Sequence, residues 1–248
     1  MPMPSPSGTQ SRLPSTSWTL LTVAAGEYGE DSLAARQEFL SRYLRPVDAY
    51  IRGILRRRGA DDSQADHLSI AFFEEKIFDP TLLRAADPAR GRFRDLLKQA
   101  LRFYVSTSLR KIDPIADGTR PDESVWDKIP DPVEPIEDVV GREFDSAWVR
   151  ALLARTLDRV AETCARKQQQ VHYDLFIARY LSGSEKPPSW NDLARRYEVT
   201  GESPGKAARE LAETAKRHFR ETIWELLIDE LGSEVLAAQE LEALKAFV

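Results

Sequence analysis

Pro187-Pro188-Ser189-Trp190-Asn191-Asp192-Leu193-Ala194, running on through Glu198-Val199-Thr200-Gly201 to Ser203-Pro204, is the stretch on which the fold turns. Ser189 and Asp192 have capping-box spacing, which predicts a helix from Trp190 with Leu193, Ala194 and Tyr197 on one face. Glu198 to Gly201 reads as a turn. Ser203-Pro204 then pairs an N-cap residue with proline at the first helical position, where its missing N–H costs nothing. Ala207, Leu211, Ala215, Phe219 and Ile223 recur at four-residue steps and predict the buried stripe of a long helix. A short helix, a tight turn and a long helix is the order of a helix-turn-helix, whose second helix lies in the DNA major groove. Helix pairs with this spacing are also common as plain packing units, so the stretch alone leaves the two readings level.

Outward from there the chain reads as helix almost throughout. No segment alternates apolar and polar residues with β-branched enrichment, so a sheet is not expected. Helices are expected over Ser32 to Tyr43, over Val47 to Arg58 with Gly59 as its C-cap, and over about Ser63 to Phe78, with Pro46 breaking or kinking the first pair. Asp87-Pro88 opens a fourth region whose core face is Phe93, Leu96, Leu97, Ala100, Leu101, Tyr104 and Val105. Ile112 to Pro135 has five prolines, many aspartates and little periodicity, the composition of a linker. Helical pattern resumes near Glu137, with Trp148, Leu152, Leu153, Leu157 and Val160 as a stripe, then Tyr173 to Leu181 and a short terminal helix. The expected fold is all-α. A Pro/Ser/Gly-rich lead covers 1–17, and a Pro/Asp-rich linker over 112–136 joins two helical lobes, 18–111 and 137–248, the second carrying the helix-turn-helix.

The single cysteine, Cys164, allows no intrachain disulfide and suits a reducing compartment, so a cytoplasmic location is expected. No apolar run approaches the roughly 20 residues a membrane span needs, and the N-terminus lacks a secretory pattern. The net charge of −5 argues mildly against a nonspecific nucleic-acid binder. Its distribution matters more: Arg90 to Lys111 holds seven basic residues against one acid, Asp95, whereas Asp113 to Asp145 is acidic.

Little points to catalysis. His67, His172 and His218 are scattered without ligand-spaced partners, so no metal is expected. Phosphate loops, nucleophile elbows and HExxH are absent, Glu74-Glu75 reads as a solvated helix face, and Cys164 as a small buried side chain. No enzyme activity and no cofactor are expected. The basic cluster carries more. Arg92, Arg94, Lys98, Arg102, Arg110 and Lys111 surround an apolar stripe, with Phe103 and Tyr104 interleaved. That mixture suits phosphate binding with stacking on unpaired bases. A solvated helix face with both aromatics in the core explains it equally well.

Five stretches, in order, resemble extracytoplasmic-function (ECF) RNA polymerase sigma factors, particularly a planctomycete type. They are Thr16-Ser17-Trp18-Thr19-Leu20-Leu21, Ala86-Asp87-Pro88-Ala89-Arg90-Gly91-Arg92-Phe93-Arg94, Phe144-Asp145-Ser146-Ala147-Trp148, Pro188-Ser189-Trp190-Asn191-Asp192-Leu193-Ala194 and Lys216-Arg217-His218-Phe219-Arg220-Glu221. The likeness covers about residues 16–248. It implies a first lobe that binds the polymerase clamp and melts the proximal promoter element, and a second that reads the distal element. Implied contacts are His67, Leu68, Ile70 and Phe73 to core RNA polymerase; Arg92, Arg94, Lys98, Arg102, Arg110 and Lys111 to the melted strand; and Ser203, Lys206, Arg209, Lys216, Arg217 and Arg220 to duplex promoter DNA. An inhibitory anti-sigma protein is a further partner that the resemblance leaves open. The chain departs from the family where its third helix carries His67-Leu68-Ser69-Ile70-Ala71-Phe72-Phe73, with His67, Ile70 and Ala71 in place of polar Asp, Gln and Glu. Glu210 and Glu213 also stand where basic or neutral residues are expected. These departures favour an alternative, a sigma-derived DNA-binding or protein-interaction regulator that has lost normal polymerase binding.

Overall fold

A computed structural model describes residues 17–24, 26, 29–57, 61–78, 92–112 and 136–244, and all regular structure among them is helical. Residues 113–135 of the expected linker and most of the expected lead fall outside the described residues, as do Gly59 and Asp87-Pro88; the linker's two end residues, Ile112 and Ile136, belong to helices. The chain divides into two compact units. The first takes the chain up to Val149 together with Asp229–Gly232, and the second takes Arg150–Ile228 with Ser233–Val248.

The first unit contains α1 (Ser17–Ala24), α2 (Glu30–Arg57), a 3₁₀ turn (Asp62–Gln64), α3 (Ala65–Phe72), α4 (Phe93–Ile112) and the opening of α5 (Ile136–Arg166). The two helices expected on either side of Pro46 are one. Proline there removes the donor to the Arg42 carbonyl, a cost of about 3 kcal/mol in a helix interior. Its ring, however, is buried on the same face as Phe39, Tyr43, Val47 and Tyr50, and that apolar seam carries the helix through. Helix α1 was not foreseen: eight residues are too few to form a helix unaided. It ends against α2, where the Ala24 carbonyl accepts from Arg36 Nε at 2.7 Å and Ser32 Oγ at 3.3 Å.

Helix α3 runs on into a π-helical turn, Phe73–Ile77, closed by a five-residue step from Phe78 N–H to the Phe73 carbonyl at 2.9 Å. The wider turn keeps Phe72, Phe73 and Ile77 all in the core. Phe39 lies at its centre, with ring centroids 5.4 Å from Phe93 and 6.1 Å from both Phe73 and Phe78, while Phe72 meets Tyr104 at 5.3 Å. Each such edge contact adds about 0.5–1.5 kcal/mol beyond burial. The unit also buries a charge cluster. Arg42 pairs with Glu38 at 2.8 Å and Glu230 at 3.4 Å, and the Tyr43 hydroxyl donates to Glu230.

The second unit contains the rest of α5, then α6 (Gln170–Tyr180), α7 (Trp190–Arg196), α8 (Pro204–Leu231) through Ile228, and α9 (Glu234–Leu244). Leu175, Leu193, Ala194, Ala208 and Ala212 form one core cluster; Val160, Cys164, Phe176 and Ala215 form another. The stripe expected along α8 is displaced at its start. Ala208 and Ala212 are fully buried, whereas Ala207 and Leu211 are half-buried. With 3.6 residues per turn, four-residue steps drift by about 40° each, so a seam must alternate threes and fours. Ala208, Ala212 and Ala215 do so.

Candidate nucleic-acid interface

Helix α7 begins where the capping box puts it. Ser189 Oγ accepts from Asp192 N–H at 3.2 Å and donates to Asp192 Oδ2 at 2.6 Å. Hydrogen bonds from the Ser189 hydroxyl and Arg195 hold the Asp192 carboxyl below its ordinary range, so it stays charged at the positive end of the helix. The loop before it is tied down by Arg179, which donates to the Pro187 and Pro188 carbonyls at 3.2 and 2.9 Å and lies over the Trp190 ring.

The turn after α7 is a Schellman ending. Val199 N–H bonds the Ala194 carbonyl at 2.9 Å, and Glu198 takes the left-handed φ of 54° that this ending requires. Val199 packs on the Ala194 cluster. Helix α8 then starts at Pro204, its first bond running from Ala207 N–H to the Ser203 carbonyl at 3.0 Å. Gly205 is buried, and a Cβ there would lie 2.1 Å from Asn191 Oδ1, so glycine lets the two helix starts meet.

Along the outer face of α8, Lys206, Arg209, Glu210, Glu213, Thr214 and Arg217 line a shallow groove of about 410 Å³. Most of its cations are already partnered. Lys206 pairs with Glu210 at 3.9 Å and Arg217 with Glu221 at 4.0 Å. Lys216 is held inward, 3.6 Å from Glu213 and over the Tyr180 ring at 4.5 Å, while Tyr180 donates to Glu213 at 3.0 Å. That trio joins α6 to α8 and leaves Lys216 poorly placed as a free phosphate anchor. Arg209 and Arg220 are exposed and carry no ion pair among the described residues. Eleven residues apart, they lie on one line of the helix about 16 Å apart at 1.5 Å per residue. Ser203 is exposed at the mouth of the turn. Arg196 on α7 is exposed as well, a surface cation that a reading centred on the long helix passed over.

The basic set of the first unit is partly dispersed. Arg94 turns inward: it is 8% exposed, with its guanidinium 4.5 Å from the centre of the Trp148 ring, so it offers no surface contact. Arg92 pairs with Asp95 at 3.0 Å. Lys98 reaches Asp145 at 3.1 Å and Asp95 at 3.5 Å. Arg102 is exposed. The side chains of Arg110 and Lys111 lie outside what is described. Phe103 and Tyr104 separate, Phe103 being 65% exposed and Tyr104 buried, and burial pushes the Tyr104 hydroxyl pKa up. Beside Phe103 a groove of about 360 Å³ is lined by Glu75, Lys76, Ala100, Thr107 and Ser108.

The four positions expected to meet polymerase also divide. Phe73 is 1% exposed and Leu68 is buried, because both belong to the aromatic core of the first unit. His67 is exposed and Ile70 is 53% exposed, three residues apart on the outer side of α3. Among the described residues no cluster of His, Cys, Asp or Glu could hold a metal ion, and no helix is long and apolar enough to cross a membrane. No family model matches the chain, and no curated protein or solved structure matches it either.

Proposed function

We propose that the chain is a divergent ECF-type sigma factor, a non-enzymatic subunit that directs core RNA polymerase to promoter DNA. The observation that carries this reading is the pair α7 and α8. A capped short helix, a Schellman turn and a long helix present two unpaired arginines, Arg209 and Arg220, on one exposed line. In a helix-turn-helix the start of the second helix reaches base edges, which is the place of Arg209, while later positions fall toward the backbone. Phosphate anchoring falls to Arg220, Arg217 and Lys206, with exposed Arg196 of the first helix a further candidate. In the first unit, Lys98, Arg102 and exposed Phe103 are the candidates for holding a melted strand, and His67 with Ile70 for meeting polymerase. Promoter DNA and core polymerase are thus the partners, and an anti-sigma protein is a third that the reading accommodates.

A second reading has its own support. Glu210, Glu213 and Glu221 compensate three of the cations on α8, and only two of the four polymerase-facing positions are exposed. A sigma-derived regulator without polymerase binding would look the same. Reconstituted transcription with core polymerase on a genomic promoter library, together with pulldown of core polymerase, separates the two. Polymerase retention with promoter-dependent transcripts supports the sigma reading. DNA binding without retention supports the regulator.

A further inference from the structure

Two acids face the groove on the outer side of α8, and the fold fixes only one of them. Glu213 accepts from the Tyr180 hydroxyl at 3.0 Å and lies 3.6 Å from Lys216, so it is held in the joint between α6 and α8. The Glu210 side chain is 68% exposed, and among the described residues its only ion pair is with Lys206, a turn earlier on the same helix, at 3.9 Å. An exposed pair that long contributes little to stability. At about 100° per residue, Ala208, Ala212 and Ala215 centre on one side of α8; Glu210 lies within about 15° of the opposite side, and Arg209 about 90° from it. Glu210 therefore stands at the crest of the face that leaves the core, in the second turn of the helix. A carboxylate there repels phosphate and serves a DNA-contacting helix only where it meets a donor.

We infer that Glu210 selects cytosine: its carboxylate accepts from the N4 amino group in the major groove, and Lys206 positions it. The inference rests on the proposed reading of α8 as the DNA-contacting helix, and names a base that this helix selects. Guanine and thymine present only acceptors in the major groove, which a carboxylate cannot use. Adenine presents an amino donor, but between two acceptors, its own N7 and the paired thymine O4. The cytosine amino group has an acceptor on one side only, the paired guanine O6. Cytosine is thus the donor-bearing base whose edge repels a carboxylate least. The Lys206 ammonium has three donors, so the pair with Glu210 need not break on binding: one donor holds the carboxylate and the others stay free for phosphate.

The test selects duplex DNA from a randomised library with the full chain, then measures affinity by fluorescence anisotropy on duplexes that differ at one position. The selected site is expected to hold a position where cytosine is preferred about tenfold over each other base, the scale of a good base contact. Glu210→Ala should abolish the preference at that position alone. Glu213→Ala should alter overall affinity and leave every base preference in place. Lys206→Met should reduce the cytosine preference as well as overall affinity, and Lys206→Arg should restore both. Circular dichroism checks that each variant keeps its helicity. A Glu210→Ala chain that binds every duplex more tightly with its preferences intact would show that the carboxylate only repels phosphate, and would overturn the inference. Lys206→Met acting alike on all four bases would overturn the positioning role. If Arg209→Ala changes the selected site and Glu210→Ala does not, the inference fails and the proposed function stands. If no sequence is enriched, the reading of α8 on which the inference rests fails with it.

Discussion

At the scale of single residues, two non-glycine positions adopt φ values that glycine adopts more easily. Gln168 at 55° ends α5 and Glu198 at 54° ends α7, and each is followed by a residue whose N–H reaches back five positions, Gln169 to Cys164 at 2.7 Å and Val199 to Ala194 at 2.9 Å. A left-handed residue with a Cβ costs about 1 kcal/mol. Glu198→Gly is therefore expected to raise the stability of the second unit by roughly 0.5–1 kcal/mol, read as a higher urea midpoint; a fall would mean that the Glu198 side chain stabilises the turn. His172 carries a different strain. Burial first, and the neighbouring His218 second, hold its pKa below the ordinary 6.5, and its Nδ1 is buried without a hydrogen-bond partner. The unfolded chain takes up this proton near 6.5 and the folded chain resists it, so stability is present above that pH and is lost as pH falls through 6.5 toward the lower folded value. Unfolding midpoints should drop between about pH 7 and pH 5, and His172→Gln should flatten that drop. None of these three residues was legible beforehand, since the effects depend on neighbours distant in sequence or on a backbone angle. The capping pair Ser189 and Asp192 was legible, because its hydrogen bonds span three residues.

At the scale of elements, what could be read was what is local. The starts of α7 and α8 followed from caps and proline, and the core face of α4 from its periodicity, with Phe93, Leu97, Leu101, Tyr104 and Val105 buried as expected. Misread features were those decided by packing. Pro46 breaks a helix by propensity but sits inside α2 because its ring faces the core, and α1 exists through its contacts with α2. Packing also assigns opposite signs to one substitution at two helical glycines. Gly141 of α5 has open space where a Cβ would go, whereas a Cβ on Gly53 of α2 would lie 2.1 Å from Glu143 Oε2, a carboxylate that also pairs with Arg57. Gly141→Ala should stabilise by roughly 0.5–1 kcal/mol through helix propensity alone. Gly53→Ala should destabilise or gain nothing, and Gly53→Ala combined with Glu143→Ala should regain the propensity term. Thermal unfolding of the three variants checks this. Equal gains from Gly53→Ala and Gly141→Ala would show that Glu143 moves aside at no cost.

At the scale of the whole molecule, the charge of −5 bears on DNA binding through where the cations are spent. The sequence places five basic residues on α8, a count that suggests strong phosphate attraction. Its structure commits Lys206, Lys216 and Arg217 to acids on the same helix and leaves Arg209 and Arg220 without ion pairs. Ion pairing of this kind depends on rotamers and on facing residues, which is why the candidate interface was legible as a list of residues but not as a ranking among them. Each phosphate neutralised contributes about −0.9 to the slope of log affinity against log salt on duplex DNA. Binding by this surface should therefore show a shallow slope, nearer that of two contacts than of five. The two free arginines should also behave differently. Arg209, in the second turn of α8, is where base edges are reached, and Arg209→Ala should relax or change sequence preference at a cost of about 1–3 kcal/mol for a good bidentate contact. Arg220, three turns later, should act on the backbone. Arg220→Ala should weaken binding to all sequences alike and reduce the salt slope by about one. Measuring affinity for a selected site and a scrambled site across a salt series separates these outcomes. If both substitutions leave both affinities unchanged at low salt, α8 does not read DNA, and a sigma-derived interaction protein becomes the better account of the chain.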